Sequence, residues 1–212
     1  MPPHVASLPR LYAILDIDLT RDRGLDPDHV FEAWLAAGVR LIQLRAKTLS
    51  TGAFLEVADR LCGRARDAGA TFVVNDRADI ARLARADGVH VGQDDLSPID
   101  VRRVVGDAAL VGLSTHTAAQ ADAARFAPVS YVAIGPVFAT PTKRGGIDAP
   151  VGLDGVREAA GLAVRPLVAI GGITLARARE VIAAGADSVA VIADLLTEDV
   201  ERRAREYVDV LQ

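Results

Sequence analysis

The feature that most constrains this chain is a rhythm of two alternating textures. Eight short runs built from Ala, Val, Leu and Ile recur along it, each followed by a longer stretch rich in Ala, Arg and Glu. The runs at 11–17, 39–45, 70–75, 88–92, 109–114, 129–135, 166–171 and 187–192 read as strands. The stretches at 28–37, 51–68, 78–86, 98–105, 117–126, 152–162, 174–184 and 198–211 read as helices. Thr51, Ser97 and Thr174 stand at or beside helix starts, and Gly38, Gly69, Gly88 and Gly185 close helices or open strands. Strict alternation of this kind implies a parallel sheet covered by helices. Eight units in 212 residues fit a single-domain (β/α)8 TIM barrel over 11–212, with 1–10 as an N-terminal extension. The competing architecture is a doubly wound open sheet. Its Gly-rich fingerprint is missing from the first turn, Asp16 to Arg23.

Composition narrows the class. A hydrophobic share of 50% is enough apolar surface to offset chain entropy, which excludes a disordered chain. The single cysteine, Cys62, excludes a disulfide framework and a Cys-rich zinc site, and reads as packing on a helix face. No run approaches the ~18 apolar residues of a membrane span. The opening MPPHVASLPR lacks the order of a signal peptide. A net charge of -4 argues against nucleic-acid or membrane partners. The expectation is a soluble, cytoplasmic protein whose partners are small molecules, with the oligomeric state left open.

Barrel active sites gather at the C-terminal ends of the strands. In the second run, Gln43, Arg45 and Lys47 share the inward face with Leu41, while Ile42, Leu44 and Ala46 take the outward one. Two cations at the mouth call either for an internal ion pair with Asp16 or Asp18, or for an anionic substrate. The third run ends in Asn75-Asp76 and the fourth is followed by Gln93-Asp94-Asp95. Asp76 and Asp95 can share a Mg2+ ion completed by water and phosphate, or each can cap the helix that follows. The long segment 136–151 carries Thr140, Thr142 and Lys143, polar groups that suit a phosphate. Gly171-Gly172 and Val191-Ile192-Ala193 end runs seven and eight, where barrels commonly bind phosphate through backbone N–H groups. His116, near Ser114, is either an acid–base group or a cap-region histidine, and His90 reads as a satisfied core histidine.

Taken together, QLRAK (43–47), VVNDRADIA (73–81), ADGVHVGQDDL (86–96), GLSTHT (112–117), IGPVFATPTK (134–143) and AIGGIT (169–174) resemble the thiamine phosphate synthase family. The likeness runs in order from about residue 11 to 193, and NDR followed by GVHVGQDD is its most specific part. It implies an enzyme that joins a pyrimidine pyrophosphate to a thiazole phosphate and releases pyrophosphate. It also implies that Gln43, Leu44, Arg45, Ala46, Lys47 and Asn75 hold the pyrimidine pyrophosphate, and that Asp76 and Asp95 bind Mg2+. Ser114 and Lys143 would contact the pyrophosphate, joining Arg45 and Lys47 in catalysis. Thr140, Pro141, Thr142, Gly172, Ile192 and Ala193 would receive the thiazole phosphate. The family often has Ser where this chain has Ala193, which removes one hydroxyl donor and keeps the backbone N–H. Two other functions stand beside this one: a thiazole tautomerase of the same barrel type, using His116, and a non-catalytic phosphate-ligand sensor.

Overall fold

Period-two alternation sorts the strand side chains into two layers, and the sheet that results curls until its edges meet. A computed structural model describes residues 7–140 and 149–212. Its eight parallel strands are β1 (Leu11–Asp16), β2 (Leu41–Arg45), β3 (Thr71–Asn75), β4 (Gly88–Val91), β5 (Leu110–Thr115), β6 (Tyr131–Ile134), β7 (Leu167–Ile170) and β8 (Ser188–Val191). They form a closed barrel in chain order, sealed where Leu11, Tyr12 and Ala13 pair with Val189, Ala190 and Val191. The open-sheet alternative is thereby excluded.

The outward layer, with Ile42, Leu44, Phe72, Val74 and Val111, packs against helix residues such as Phe31, Trp34, Leu61 and Val156. The inward layer is small: Tyr12, Ile14, Leu41, Val73, Tyr131, Ala133, Val168 and Ala190, joined by Leu8 from the expected extension. The helices are α1 (Ile17–Asp22), α2 (Pro27–Ala36), α3 (Thr51–Asp67), α4 (Ala78–Leu83), α5 (Pro98–Val105), α6 (Ala118–Ala123), α7 (Gly152–Leu162), α8 (Leu175–Ala183) and α9 (Val200–Val210). Among the described residues, no helix is long and apolar enough to cross a membrane.

The boundaries show where local chemistry departs from the sequence reading. The segment read as a turn from Asp16 to Arg23 contains α1. The Asp16 side chain accepts from the Leu19 N–H at 3.0 Å, and the Thr20 hydroxyl donates to the Asp16 carbonyl at 2.7 Å. A carboxylate at a strand end thus starts a helix at once. Ser50, one residue before Thr51, caps α3, and Ser97 caps α5. Thr174 occupies the cap position of α8 but makes no side-chain cap bond; the Leu175 N–H goes to Asp194 Oδ2 at 3.0 Å.

Candidate active site

The C-terminal strand ends surround a cavity of about 1170 Å³, room enough for two small ligands together. Strand β2 presents Gln43 and Arg45 to it, as the alternation requires, and Lys47, two residues past the strand end, lines it as well. Both cations are paired. Arg45 meets the buried Asp16 carboxylate, its register partner on β1, so the ion-pair reading of the sequence holds for this residue. A guanidinium has five N–H donors, more than one carboxylate can engage. Lys47 places its ammonium 2.6 Å from Asp76 Oδ2 and stays half exposed. Asp18 receives the Lys47 backbone N–H at 3.1 Å and the Thr48 hydroxyl, fixing the chain beyond β2. Leu44 is buried in the outward layer and Ala46 packs against it. Neither lines the cavity, so of the run expected at the ligand only Gln43, Arg45 and Lys47 reach it with side chains.

Asp76 and Asp95 both line the cavity with Asn75. The capping alternative fails for both. Helix α4 has Arg77 at its cap position and no side-chain cap bond, while α5 is capped by Ser97. Asp95 instead accepts the Gly92 N–H at 2.7 Å. Asp76 sits at φ +61°, the left-handed region, where a non-glycine residue carries strain of roughly 1–2 kcal/mol. Burial pushes its carboxyl above the usual carboxylate range; Lys47 opposes that rise and the adjacent Asp95 carboxylate adds to it. Among the described residues no group of three or more His, Cys, Asp or Glu is arranged to hold a metal. Two neighbouring carboxylates are nonetheless a donor set to which a divalent cation can bind with phosphate and water.

Beneath the cavity lies a polar chain that the sequence does not reveal. The Gln43 amide donates to the Tyr12 hydroxyl at 2.9 Å, and Tyr12 and Tyr131 share a bond of 2.9 Å. Tyr131 meets His90 Nδ1 at 3.0 Å, and His90 Nε2 meets Ser114 Oγ at 2.8 Å. Burial pushes the His90 imidazole down to about 4 and raises both phenols, so all three are neutral near pH 7. His90 is the satisfied core histidine expected. His116 also lines the cavity, its Nδ1 donating to the Gly135 carbonyl at 2.7 Å. In sequence Tyr12 and Tyr131 pass for apolar filler, and their only signal is the inward parity they share with Gln43.

The opposite wall contains Thr140, Gly172, Ile192 and Ala193. Gly171 and Gly172 have φ of +103° and +63°, and the Val137 and Phe138 N–H groups donate to the Ile170 and Gly171 carbonyls at 2.8 and 2.9 Å. A Cβ on Gly172 would fall 2.7 Å from the Ala139 carbonyl oxygen. The glycine pair therefore also lets the segment after β6 lie across β7. Two arginines not foreseen line this wall: Arg23, which donates to the Ala193 and Leu196 carbonyls at 2.7 and 2.6 Å, and Arg177, stacked 4.3 Å over the Phe138 ring. Pro141, Thr142 and Lys143 lie outside the described residues.

Fold and cavity together define a (β/α)8-barrel enzyme with its polar groups at the strands' C-terminal ends. Residues 11–195 match the family model described as thiamine monophosphate synthase, and the chain belongs to that family. It is 49% identical over 209 residues to the thiamine-phosphate synthase of Koribacter versatilis, covering 96% of each chain. It is 41% identical to that of Chloroflexus aurantiacus, covering 96% of this chain and 94% of the other. Among solved structures, thiamine phosphate pyrophosphorylase from Pyrococcus furiosus superposes with a TM-score of 0.86 at 29% identity, over 96% of this chain and 95% of that one.

Proposed function

We propose that this protein joins the pyrimidine pyrophosphate precursor of thiamine to thiazole phosphate, giving thiamine phosphate and pyrophosphate. The observation that supports this best is the charge on one arc of the cavity: Arg45 and Lys47, each held by an aspartate, beside the Asp76–Asp95 pair. Cations already fixed in place stabilise developing negative charge without having to reorganise.

The bond from the pyrimidine methylene carbon to the pyrophosphate oxygen breaks, and its electron pair leaves with the oxygen. Arg45 and Lys47 donate to the departing anion, and Ser114 adds a neutral donor. Positive charge builds on the carbon. The thiazole nitrogen supplies its lone pair to that carbon and becomes a thiazolium; no proton is lost, so no general base is required. Gln43 and Asn75 hold the pyrimidine pyrophosphate. Thr140, Gly172, Ile192 and Ala193 receive the thiazole phosphate, with Pro141 and Thr142 as further contacts. Lys143 is a further cation toward the pyrophosphate. Asp76 and Asp95 would hold Mg2+, which when bound supplies positive charge to the pyrophosphate oxygens. A cytoplasmic location belongs to the same reading.

Incubation with both precursors and Mg2+ tests it. Thiamine phosphate and pyrophosphate are expected in equal amounts. An enzyme that isomerises thiazole carboxylate phosphate yet never couples it to the pyrimidine would be the tautomerase, and one that binds both without turnover the sensor.

A further inference from the structure

Hydrogen bonds have direction, and the chain beneath the cavity has four of them with one end fixed. It runs from the Gln43 amide nitrogen through Tyr12, Tyr131 and His90 to Ser114 Oγ. An amide nitrogen donates and does not accept. Tyr12 therefore accepts a hydrogen bond from Gln43, and its own O–H, buried and with Tyr131 as its other partner among the described residues, donates to Tyr131. Tyr131, having accepted, directs its proton to His90 Nδ1. A neutral imidazole that accepts at Nδ1 carries its single proton on Nε2, and that proton points at Ser114 Oγ. The Ser114 oxygen is then an acceptor on its inner side, and the Ser114 proton is turned away from His90, toward the cavity.

We propose that His90 is a positioning residue: it holds Nε2–H toward Ser114, and so presents the Ser114 hydroxyl as a hydrogen-bond donor to an anionic ligand oxygen. The identity of that oxygen as pyrophosphate rests on the function proposed above; the direction of the chain does not.

The packing supports a relay rather than an accidental contact. His90 and Tyr131 stack with centroids 5.5 Å apart and planes 27° apart, and Tyr12 meets Tyr131 edge-on at 6.0 Å. Both phenols are 1% exposed or less, so water does not compete for their protons. Space for the stacked rings comes from Gly112, whose register partners are His90 on β4 and Tyr131 on β6. Any Cβ at Gly112 would run into His90 Nδ1 and the Tyr131 phenol at once. The contact between His90 and Ser114 is also not a nucleophile-activating pair. In such a pair the imidazole takes the hydroxyl proton and a carboxylate on its other nitrogen stabilises the cation. Here the other nitrogen faces a phenol in a buried site, an arrangement that disfavours the imidazolium.

The direction is read by 15N NMR of the His90 ring in the ligand-free protein at neutral pH. The expected result is Nε2–H with an unprotonated Nδ1. An Nδ1–H tautomer, or an imidazolium, overturns the proposal. In Tyr131→Phe the donor to Nδ1 is gone, and an Nδ1–H population is expected to appear; an unchanged tautomer would show that the chain does not set it. Function is read by calorimetry with inorganic pyrophosphate and Mg2+. Loss of a hydrogen bond to a charged group makes Ser114→Ala bind roughly 10- to 100-fold more weakly. Tyr131→Phe is expected to weaken binding about 3- to 10-fold in the wild-type background and to add nothing in Ser114→Ala. Losses that add would overturn action through Ser114. A wild type with the expected tautomer that fails to bind pyrophosphate supports the donor direction and overturns pyrophosphate as its acceptor.

Discussion

Arg45 has two tasks that one pair of substitutions can separate. Its guanidinium neutralises Asp16, whose side chain is 3% exposed, and it faces the cavity with its own side chain 24% exposed. Removing one partner of a fully buried pair costs roughly 3–5 kcal/mol. Arg45 is partly solvated, so the cost of Arg45→Ala is nearer ~1–3 kcal/mol. For a chain of this length that is a fall in melting temperature of about 2–12 °C. Affinity for pyrophosphate falls as well, by about 10- to 150-fold, since one charge-assisted contact contributes roughly 1.5–3 kcal/mol. Adding Asp16→Asn removes the stranded carboxylate while keeping a side-chain oxygen to accept the Leu19 N–H. The double variant is expected to regain most of the melting temperature and none of the affinity. Thermal melts and calorimetry with Mg2+ and pyrophosphate report the two quantities separately. Affinity that returns together with stability, or that never falls in Arg45→Ala, would refute the ligand role and leave only the ion pair.

Asp76→Asn keeps a residue type that tolerates the left-handed backbone and removes no cap, so the fold should survive while thiamine phosphate formation at ordinary Mg2+ is abolished; full activity would refute the metal assignment. Because the Asp76 carboxyl lies above the usual carboxylate range, its charged form opposes folding above that raised value and the cost vanishes below the ordinary one. Metal-free Asp76→Asn should therefore melt higher than wild type at neutral pH and equal to it in acid, measured by calorimetric scans. His116→Ala should cost a coupling enzyme about tenfold or less and a proton-transfer enzyme ~10²–10⁴-fold. Lys143→Ala should be the more damaging of the two in single-turnover formation of thiamine phosphate, and the reverse order would favour the tautomerase. Gly172→Ala combines a positive φ with a collision at Ala139, and should lower stability by ~1–3 kcal/mol together with affinity for thiazole phosphate, both checked by the same melts and titrations.

How far the sequence carries depends on whether a residue's role is periodic or positional. The inward parity of Gln43, Arg45 and Lys47 is periodic, and the structure places all three in the cavity. The eight-strand rhythm is periodic too, and closes the barrel. Asp16 is positional: one carboxylate ends β1, starts α1 and neutralises Arg45, and no spacing rule separates those tasks. The helix that Asp16 starts ends at Arg23 and brings that side chain to the cavity wall, a placement no spacing rule shows. Tyr12, Tyr131 and His90 lie far apart in sequence, and their hydrogen bonds exist only because β1, β4 and β6 bring them together inside the barrel, with Gly112 leaving room for His90 and Tyr131. The capping alternatives for Asp76 and Asp95 were settled by neighbours, Arg77 and Ser97, whose helix starts fall slightly later than the carboxylates themselves.

Closure of the ring between the first strand and the last sets a timetable for synthesis. Val189 donates its N–H to the Arg10 carbonyl at 2.8 Å, and the Ser188 hydroxyl reaches the same oxygen at 3.3 Å. These partners stand about 180 residues apart. A ribosome adding roughly 5–20 residues per second needs about 10–35 s to travel from one to the other. Once β2 has been made, and until β8 follows, β1 has β2 on one side and an unsatisfied row of backbone donors and acceptors on the other, the kind of edge on which foreign strands add. The last strand to be made is thus the one that protects the first.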